Sequence, residues 1–435
     1  MRGLVGVAIA LLLAANATAQ IAPRTPDTLT LVRSVRMGRE RGVAAMLARL
    51  NARVADTRIG QRRADLLPNL SAGASVTRQT LNLDEFGIPI AQGVTDPFSL
   101  FRLQVRVTQA VLDPAAWNRL KAARDSAVAS GLDAVTAGTA AGATAGVAYL
   151  RALSAEETVA AREADSVVAG RLLDQAHQLL QAGLTPAIDQ TRSEVNFAAV
   201  RSQLAVAHNQ RDRARLDLAR ALDLPPATPL VLADTALVEP VGLPASPDSA
   251  VAFALGHRSE LAAERERLRA MELALAAVRA ENLPSAAVGG AYQETGRGTG
   301  TLKGTYTAQL GVSIPILDGF HRQLRSREQA VRIEAQEVRV KDLTDQIDAE
   351  ARQALLDLAS AREQVRLALE RQRLAEQELA QAEQRFRAGV AGTIETSNAQ
   401  AGLIAARDGV IQARVALGIA RVSAYRALGV LEQMQ

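Results

Sequence analysis

The sequence predicts a mainly α-helical, elongated chain that also supplies strands to a membrane β-barrel. The expected parts are two long-helix hairpins related by duplication and four amphipathic strands per chain. Three observations carry this fold class. Two tracts hold small apolar residues at strict 4-3 spacing over about forty residues each. Four segments of about ten residues alternate apolar and polar side chains. The second half repeats the plan of the first at an offset close to 205–206 residues.

The long helices are the strongest signal. From about 318 to 388 the chain has no proline and a single glycine, Gly319. Within it Ile347, Ala351, Ala354, Leu358, Ala361, Val365, Ala368, Gln372, Ala375, Leu379, Ala382 and Phe386 form one seam. The seam recurs 206 residues earlier, from Ala141 to Leu180, with only Arg162, Ser166 and Gln372 out of character. A 3.5-residue apolar period specifies helices that coil around neighbours, and alanine in the seam implies close approach. Roughly seventy helical residues span on the order of 100 Å, more than a compact domain uses. Shorter helices are expected at about 28–66, 186–223, 249–282 and 393–431. Laid end to end, 28–66 with 186–223 match one long helix, as do 249–282 with 393–431. The result is a bundle with strands at one end and glycine turns at the other.

The duplication sets the domain plan. ADLLPNLSAGASV at 64–76 resembles AENLPSAAVGGAY at 280–292, and LQVRVTQAVLD at 103–113 resembles AQLGVSIPILD at 308–318. LLQAGLTPAID at 179–189 resembles RFRAGVAGTIE at 385–395. The first repeat runs over 20–223 and the second over 250–431, joined by a proline-rich linker at 224–249 and followed by a tail at 432–435. The linker reads as loop with a short strand.

Strands are expected at about 69–79, 101–112, 285–295 and 305–316, with 81–100 and 296–304 as loops between them. In FRLQVRVTQ, Phe101, Leu103, Val105 and Val107 alternate with Arg102, Gln104, Arg106 and Thr108. In a soluble protein the apolar face would cover a core. Tilted strands of this length equally fit a barrel, apolar toward lipid and polar toward a wet lumen. Four such strands leave unsatisfied edges in hydrocarbon, so the sheet has to close by oligomerising, with twelve strands from three chains.

The N-terminus, MRGLVGVAIALLLAANATAQ, has a charged start, a short apolar run and an A-x-A site. It reads as a secretory signal peptide, residues 1–19, cut after Ala19; a retained membrane anchor is the competing reading. With no cysteine, disulfides and thiolate metal sites are excluded. The net charge of +4 comes from Arg and Glu interspersed along helices, so nucleic acid is not an implied partner. His177, His208, His257 and His321 lie far apart without ligand spacing, and no phosphate loop or nucleophile elbow is present. No cofactor, metal or catalytic residue is expected.

The signal peptide, the duplicated plan, Leu67-Pro68 and Leu283-Pro284 before strands one and three, and the glycine turns together resemble the TolC family of outer-membrane efflux proteins. The resemblance spans about 28–431. It implies a homotrimer with a twelve-stranded β-barrel in outer-membrane lipid and a twelve-helix tunnel across the periplasm. It further implies docking on a periplasmic adaptor protein fed by an inner-membrane pump, in efflux or type I secretion, with passive exit of substrate. Gly183, Leu184 and Thr185, and Gly389, Val390, Ala391 and Gly392, match the family's adaptor-docking tips. Asp189 and Glu395, six residues beyond the first glycine of each tip, match acidic positions near the closed periplasmic entrance. Asn398 stands where the family places a further acid, so the resemblance supports one carboxylate ring, from Glu395, favouring cations.

Each residue also has a plainer reading. Carboxylates such as Asp189 and Glu395 stabilise a helix N-terminus wherever they occur in the first turn. Trp117 and Phe320, just after strands two and four, are candidate membrane-interface anchors or simple packing at the strand–helix junction. The competing class is a periplasmic adaptor-like helical linker of an efflux assembly. Such linkers carry one hairpin between soluble β-domains, whereas this chain has two hairpins with amphipathic strand pairs.

Overall fold

Two helices, α3 (Pro114–Gln181) and α7 (His321–Arg387), run the length of a computed structural model that describes residues 27–83, 93–233, 244, 246–388, 390 and 392–434. The expected signal peptide, and residues 234–243 and 245 of the linker, lie outside the described residues. An aspartate from the repeated L-D motif serves the start of each long helix, as the residue before α3 and three residues before α7. Asp113 Oδ1 accepts from the Ala116 N–H at 2.8 Å, and Asp318 Oδ2 accepts from the Arg322 N–H at 3.0 Å. These carboxylates satisfy donors that a helix start leaves open.

The shorter helices are α1 (Leu31–Arg41), α2 (Val43–Ala64), α4 (Ala187–Ala221), α5 (Pro247–His257), α6 (Ser259–Ala280) and α8 (Thr393–Ala427). Here the structure corrects the sequence reading. The stretches expected as single helices at 28–66 and 249–282 each break, at Gly42 and at Arg258, where the backbone turns extended. The two breaks occupy matching places in the repeats. At the first, α1 lies so close to α3 that a Cβ on Gly38 would stand 2.4 Å from the Ala145 Cβ. A Cβ on Gly142 would stand 2.9 Å from the Val35 carbonyl oxygen. At the second, the Arg258 guanidinium turns inward, donating to the Ala427 carbonyl at 3.0 Å and to Glu350 Oε2 at 2.9 Å.

Along the α7 seam Val365, Ala368 and Gln372 are half-buried and the remaining residues are buried. They pack against α8, where Ala399, Leu403 and Ala406 meet Ala375, Leu379 and Ala382, and Leu417 and Ala420 meet Leu358 and Ala361. The α3 helix packs against α1, α2 and α6 and against α4. Arg162, which broke the seam in the sequence, is buried because it is paired. Its Nη1 donates to Asp165 Oδ2 at 2.8 Å and its Nη2 to Asp408 of α8. Arg407 Nη1 donates to the other oxygen of Asp165 at 2.8 Å.

The strands form two sheets. The larger is antiparallel in the order β2 (Asn69–Gln79), β3 (Phe98–Leu112), β5 (Ser285–Gly296), β6 (Lys303–Ser313). The smaller pairs β1 (Asp27–Leu29) in parallel with β4 (Leu230–Leu232), a strand of the linker. Tyr149 of α3 is fully buried beneath it and donates its hydroxyl to the Leu29 carbonyl at 3.2 Å. No strand was expected at 27–29, since three residues are too few to show alternation.

Candidate functional site: the helix tips and the sheet

Each hairpin reverses in the same way. At the first tip Gly183 takes the left-handed conformation (φ +71°), and the Leu184 N–H returns to the Leu179 carbonyl at 2.9 Å. At the second the Val390 N–H returns to the Arg385 carbonyl at 3.0 Å. A positive φ after a helix end is the αL cap that favours glycine. Gly389 and Ala391 lie outside the described residues. Gly392 is extended (φ −91°, ψ 170°) with open space where a Cβ would stand, so its backbone does not require glycine. Thr185 is half-buried.

The tips end in exposed aliphatic side chains. Leu184 is 72% exposed and Val390 71%, and the matching Ile188 and Ile394 are likewise open. Isolated apolar side chains on a surface are ordinary, but these recur at equivalent positions of both repeats, at the extreme of the helices.

The two acids behave differently. Asp189 is buried, and its Oδ1 accepts from the Thr393 hydroxyl at 2.5 Å, joining the N-terminus of α4 to that of α8. Glu395 is exposed and ion-paired across its own tip to Arg385 Nε at 2.9 Å. Asn398 is exposed one turn further on. Thus Asp189 is a joint between hairpins, while Glu395 and Asn398 stand on an open face.

A pattern absent from the sequence reading runs up α8. Thr393, Gln400, Arg407, Arg414 and Arg421 recur every seven residues, on a different face from the alanine and leucine contacts with α7. Gln400 bridges Asn196 of α4, which donates to its Oε1 at 2.8 Å, and the Asp165 carbonyl at 3.4 Å. Arg407 meets Asp165. Burial holds the Glu157 carboxyl above the usual carboxylate range, opposed by the charge of Arg414. The hairpin α7–α8 is therefore joined within itself by apolar contacts, and to α3–α4 by this polar stripe together with apolar contacts such as Leu150 with Val422. Arg162 in the α3 seam was the one visible clue.

At the other end the sheet presents two unlike faces. The row Ala72, Val105, Tyr292 and Tyr306 lies on the apolar face, with Leu70, Leu310 and Val312 exposed around it. Tyr292 lies over Gly304, where a Cβ would stand 2.3 Å from its hydroxyl oxygen. The opposite face carries mostly Ser, Thr, Gln, Asn, Gly, Ala, Arg and Lys, with Phe98 and Leu100 at one end. Trp117 and Phe320, in the first turns of the long helices beside the sheet, are 51% and 65% exposed. No described helix is long and apolar enough to cross a membrane.

The family model of outer membrane efflux proteins matches residues 37–223 and 251–430. Protein CyaE of Bordetella pertussis is 27% identical over 381 residues, covering 83% of this chain and 75% of that protein. A membrane protein from Pseudomonas aeruginosa superimposes with a TM-score of 0.80 at 20% identity, over 92% of this chain and 93% of that one. The CmeC outer membrane channel of Campylobacter jejuni does so with a TM-score of 0.81 at 16% identity, over 92% and 86%. Duplicated hairpins, an amphipathic four-stranded sheet and a family match over both repeats lead to one conclusion: the chain belongs to the outer membrane efflux protein family, and it is an outer-membrane efflux or secretion channel, not an enzyme.

Proposed function

We propose that three copies of the chain, exported by a cleaved signal peptide, close into a twelve-stranded barrel in the outer membrane. Their helices form a twelve-helix tunnel reaching into the periplasm. Substrate handed over by an inner-membrane pump through an adaptor leaves by this path, in a tripartite efflux or type I secretion system.

The observation that carries the reading is the internal symmetry of the sheet. Asn69 pairs with Thr108 and Ser285 with Ser313. The step is 216 residues from β2 to β5 and 205 from β3 to β6, and it holds along the whole register. The β3–β5 pairing within the chain, such as Gln104 with Gln293, therefore has an equivalent between the free edges. That equivalent joins β6 of one chain to β2 of the next, with Gln309 beside Thr77 and Leu310 beside Val76. The helices agree. Ala263 and Ala270 of α6 are buried inside the chain, but their equivalents on α2, Leu47 and Val54, are 57% and 49% exposed. Larger apolar side chains at the unpartnered equivalents fit a second copy.

Because the chain lacks cysteine, paired substitutions test the register directly. Gln309→Cys with Thr77→Cys, and Leu310→Cys with Val76→Cys, are expected to give disulfide-linked trimers in outer membranes. Directly opposed strand residues have Cα atoms about 4.5–5.5 Å apart, within disulfide reach. Gln309→Cys with Ser71→Cys, six residues out of register, is the control expected to stay unlinked. Linkage of the control alone would refute the closure.

The tips are assigned to the adaptor, with Gly183, Leu184 and Thr185 on one and Gly389, Val390, Ala391 and Gly392 on the other. Asp189, Glu395 and Asn398 are assigned to the periplasmic gate, and Trp117 and Phe320 to the membrane interface. Exposed aliphatic tips suit a hydrophobic contact on the partner, where a few buried side chains dominate affinity. Leu184→Asp with Val390→Asp is expected to abolish transport while trimer yield is unchanged. Undiminished transport would remove the tips from the interface.

A further inference from the structure

Charge is distributed unequally between the two faces of the large sheet. Arg102 pairs with Ser75 and Thr295, Arg106 with Ser71 and Ala291, and Lys303 with Thr295. Directly opposed residues share a face, so all three cations stand on the polar one. The four strands of this sheet contain one acid, Glu294, and it pairs with Leu103 and Gly304 on the apolar face, where it accepts from the Tyr292 hydroxyl at 3.2 Å. Arg78 also belongs to the apolar face, through its pairing with Ser99. The polar face therefore carries three positive charges and no negative one.

Several exposed arginines of the helices are matched to acids: Arg352 with Asp348 and Asp248, Arg366 with Glu363, and Arg332 with Glu328. Among the described residues none of Arg102, Arg106 and Lys303 makes an ion pair. Arg102 and Arg106 are about 14 Å apart along β3, and Lys303 is about 10 Å from Arg102 across β5, by standard strand spacings. The screening length is about 8 Å at physiological salt, so their fields overlap in a water-filled space walled by lipid.

We propose that this face is a cationic sleeve that selects anionic permeants, molecules or chain segments bearing carboxylate, phosphate or sulfonate groups. The inference rests on the trimeric barrel, in which the polar face lines the lumen and three copies bring nine cations together. It concerns the exit end and is independent of the Glu395 position at the tip. A wide sleeve of fixed cations raises the local concentration of anionic groups and lowers that of cations, without a tight binding site.

The absence of cysteine again supplies the experiment. Gln104→Cys places a single thiol on the polar face between Arg102 and Arg106. In trimers reconstituted into liposomes, its reaction rates are measured with an anionic methanethiosulfonate (ethylsulfonate) and a cationic one (ethyltrimethylammonium). The anionic reagent is expected to gain about tenfold at low salt relative to the same thiol in an Arg102→Gln, Arg106→Gln, Lys303→Gln background. The gain should shrink as salt rises. The ratio of the two rates cancels any change in thiol acidity. Should the triple variant fail to assemble, Arg106→Gln alone is expected to give a smaller shift in the same direction. A ratio unaffected by neutralisation and by salt overturns the sleeve while leaving the barrel standing. If Gln104→Cys reacts with neither reagent while Val105→Cys reacts with both, the barrel reading and the sleeve fall together.

Discussion

Replacing Asp165 by alanine is expected to loosen the union of the two hairpins more than any other single change in the lower half of the bundle. Asp165 is 2% exposed and accepts from Arg162 and Arg407 through both carboxylate oxygens. Removing it leaves Arg407 without its counter-charge and the buried Arg162 with only the half-exposed Asp408. Breaking a buried pair on one side costs about 3–5 kcal/mol, because the remaining charge stays desolvated. The urea midpoint of the purified protein is expected to fall accordingly. Arg407→Ala should cost less, since that side chain is partly open and Arg162 keeps Asp165 paired. The double variant tests the coupling: the two losses should fail to add by about 0.5–3 kcal/mol. Additive losses would mean that the contact is incidental.

Arg258→Ala is expected to act at the opposite level of the bundle, where α5 breaks into α6. The guanidinium is 6% exposed and reaches the Ala427 carbonyl, Glu260 and Glu350, so it ties three helices at one point. The expected loss is again about 3–5 kcal/mol. A pH signature distinguishes this loss from simple loss of packing. Burial acts to raise the Glu350 carboxyl, but hydrogen bonds from Gln346 and Arg258 and the charges of Arg258 and Arg426 outweigh it. Its pKa is thereby held below the usual carboxylate range. A carboxyl depressed in the folded state contributes stability above its unfolded value, and that contribution is lost as pH falls through the folded one. The variant should therefore differ most from the parent at neutral pH and less below about pH 4.5. A difference independent of pH would place the loss in packing alone.

The parts of the fold legible in sequence were those governed by periodicity. The seam from Ile347 to Phe386 and the alternation in β3 each repeat a local rule many times, so single exceptions do not hide it. Arg162 was such an exception, and its partner Asp408 lies 246 residues further on, beyond any local pattern. The breaks at Gly42 and Arg258 depend on what each helix meets. Gly42 looks like a tolerated helical glycine until α3 is laid against α1, and Arg258 looks like a surface residue until Ala427 and Glu350 surround it. Phe320 holds a left-handed φ of +66°, which sequence patterns do not announce for an aromatic residue.

The candidate site divides in the same way. Gly183 was legible because a reversal after a long helix needs a positive φ. Asp189 and Glu395 looked alike in sequence, as first-turn acids six residues past a glycine. In the structure the first is buried under Thr393 and the second is paired with Arg385 in the open. The difference comes from the neighbouring hairpin, which no local pattern specifies. The polar stripe on α8 shares the seven-residue period of the apolar seam but is set on another face. Its meaning appeared only when Asp165 and Asn196 were found opposite it.

Closure of the sheet by three identical copies fixes the mass of the particle. Protein extracted from outer membranes in detergent, with the detergent contribution subtracted by light scattering, should weigh as three chains of at most 46.0 kDa each. It should also conduct when inserted into planar bilayers. A single-chain mass, recovered from the soluble periplasm and silent in bilayers, would rule out closure of the sheet into a trimeric channel.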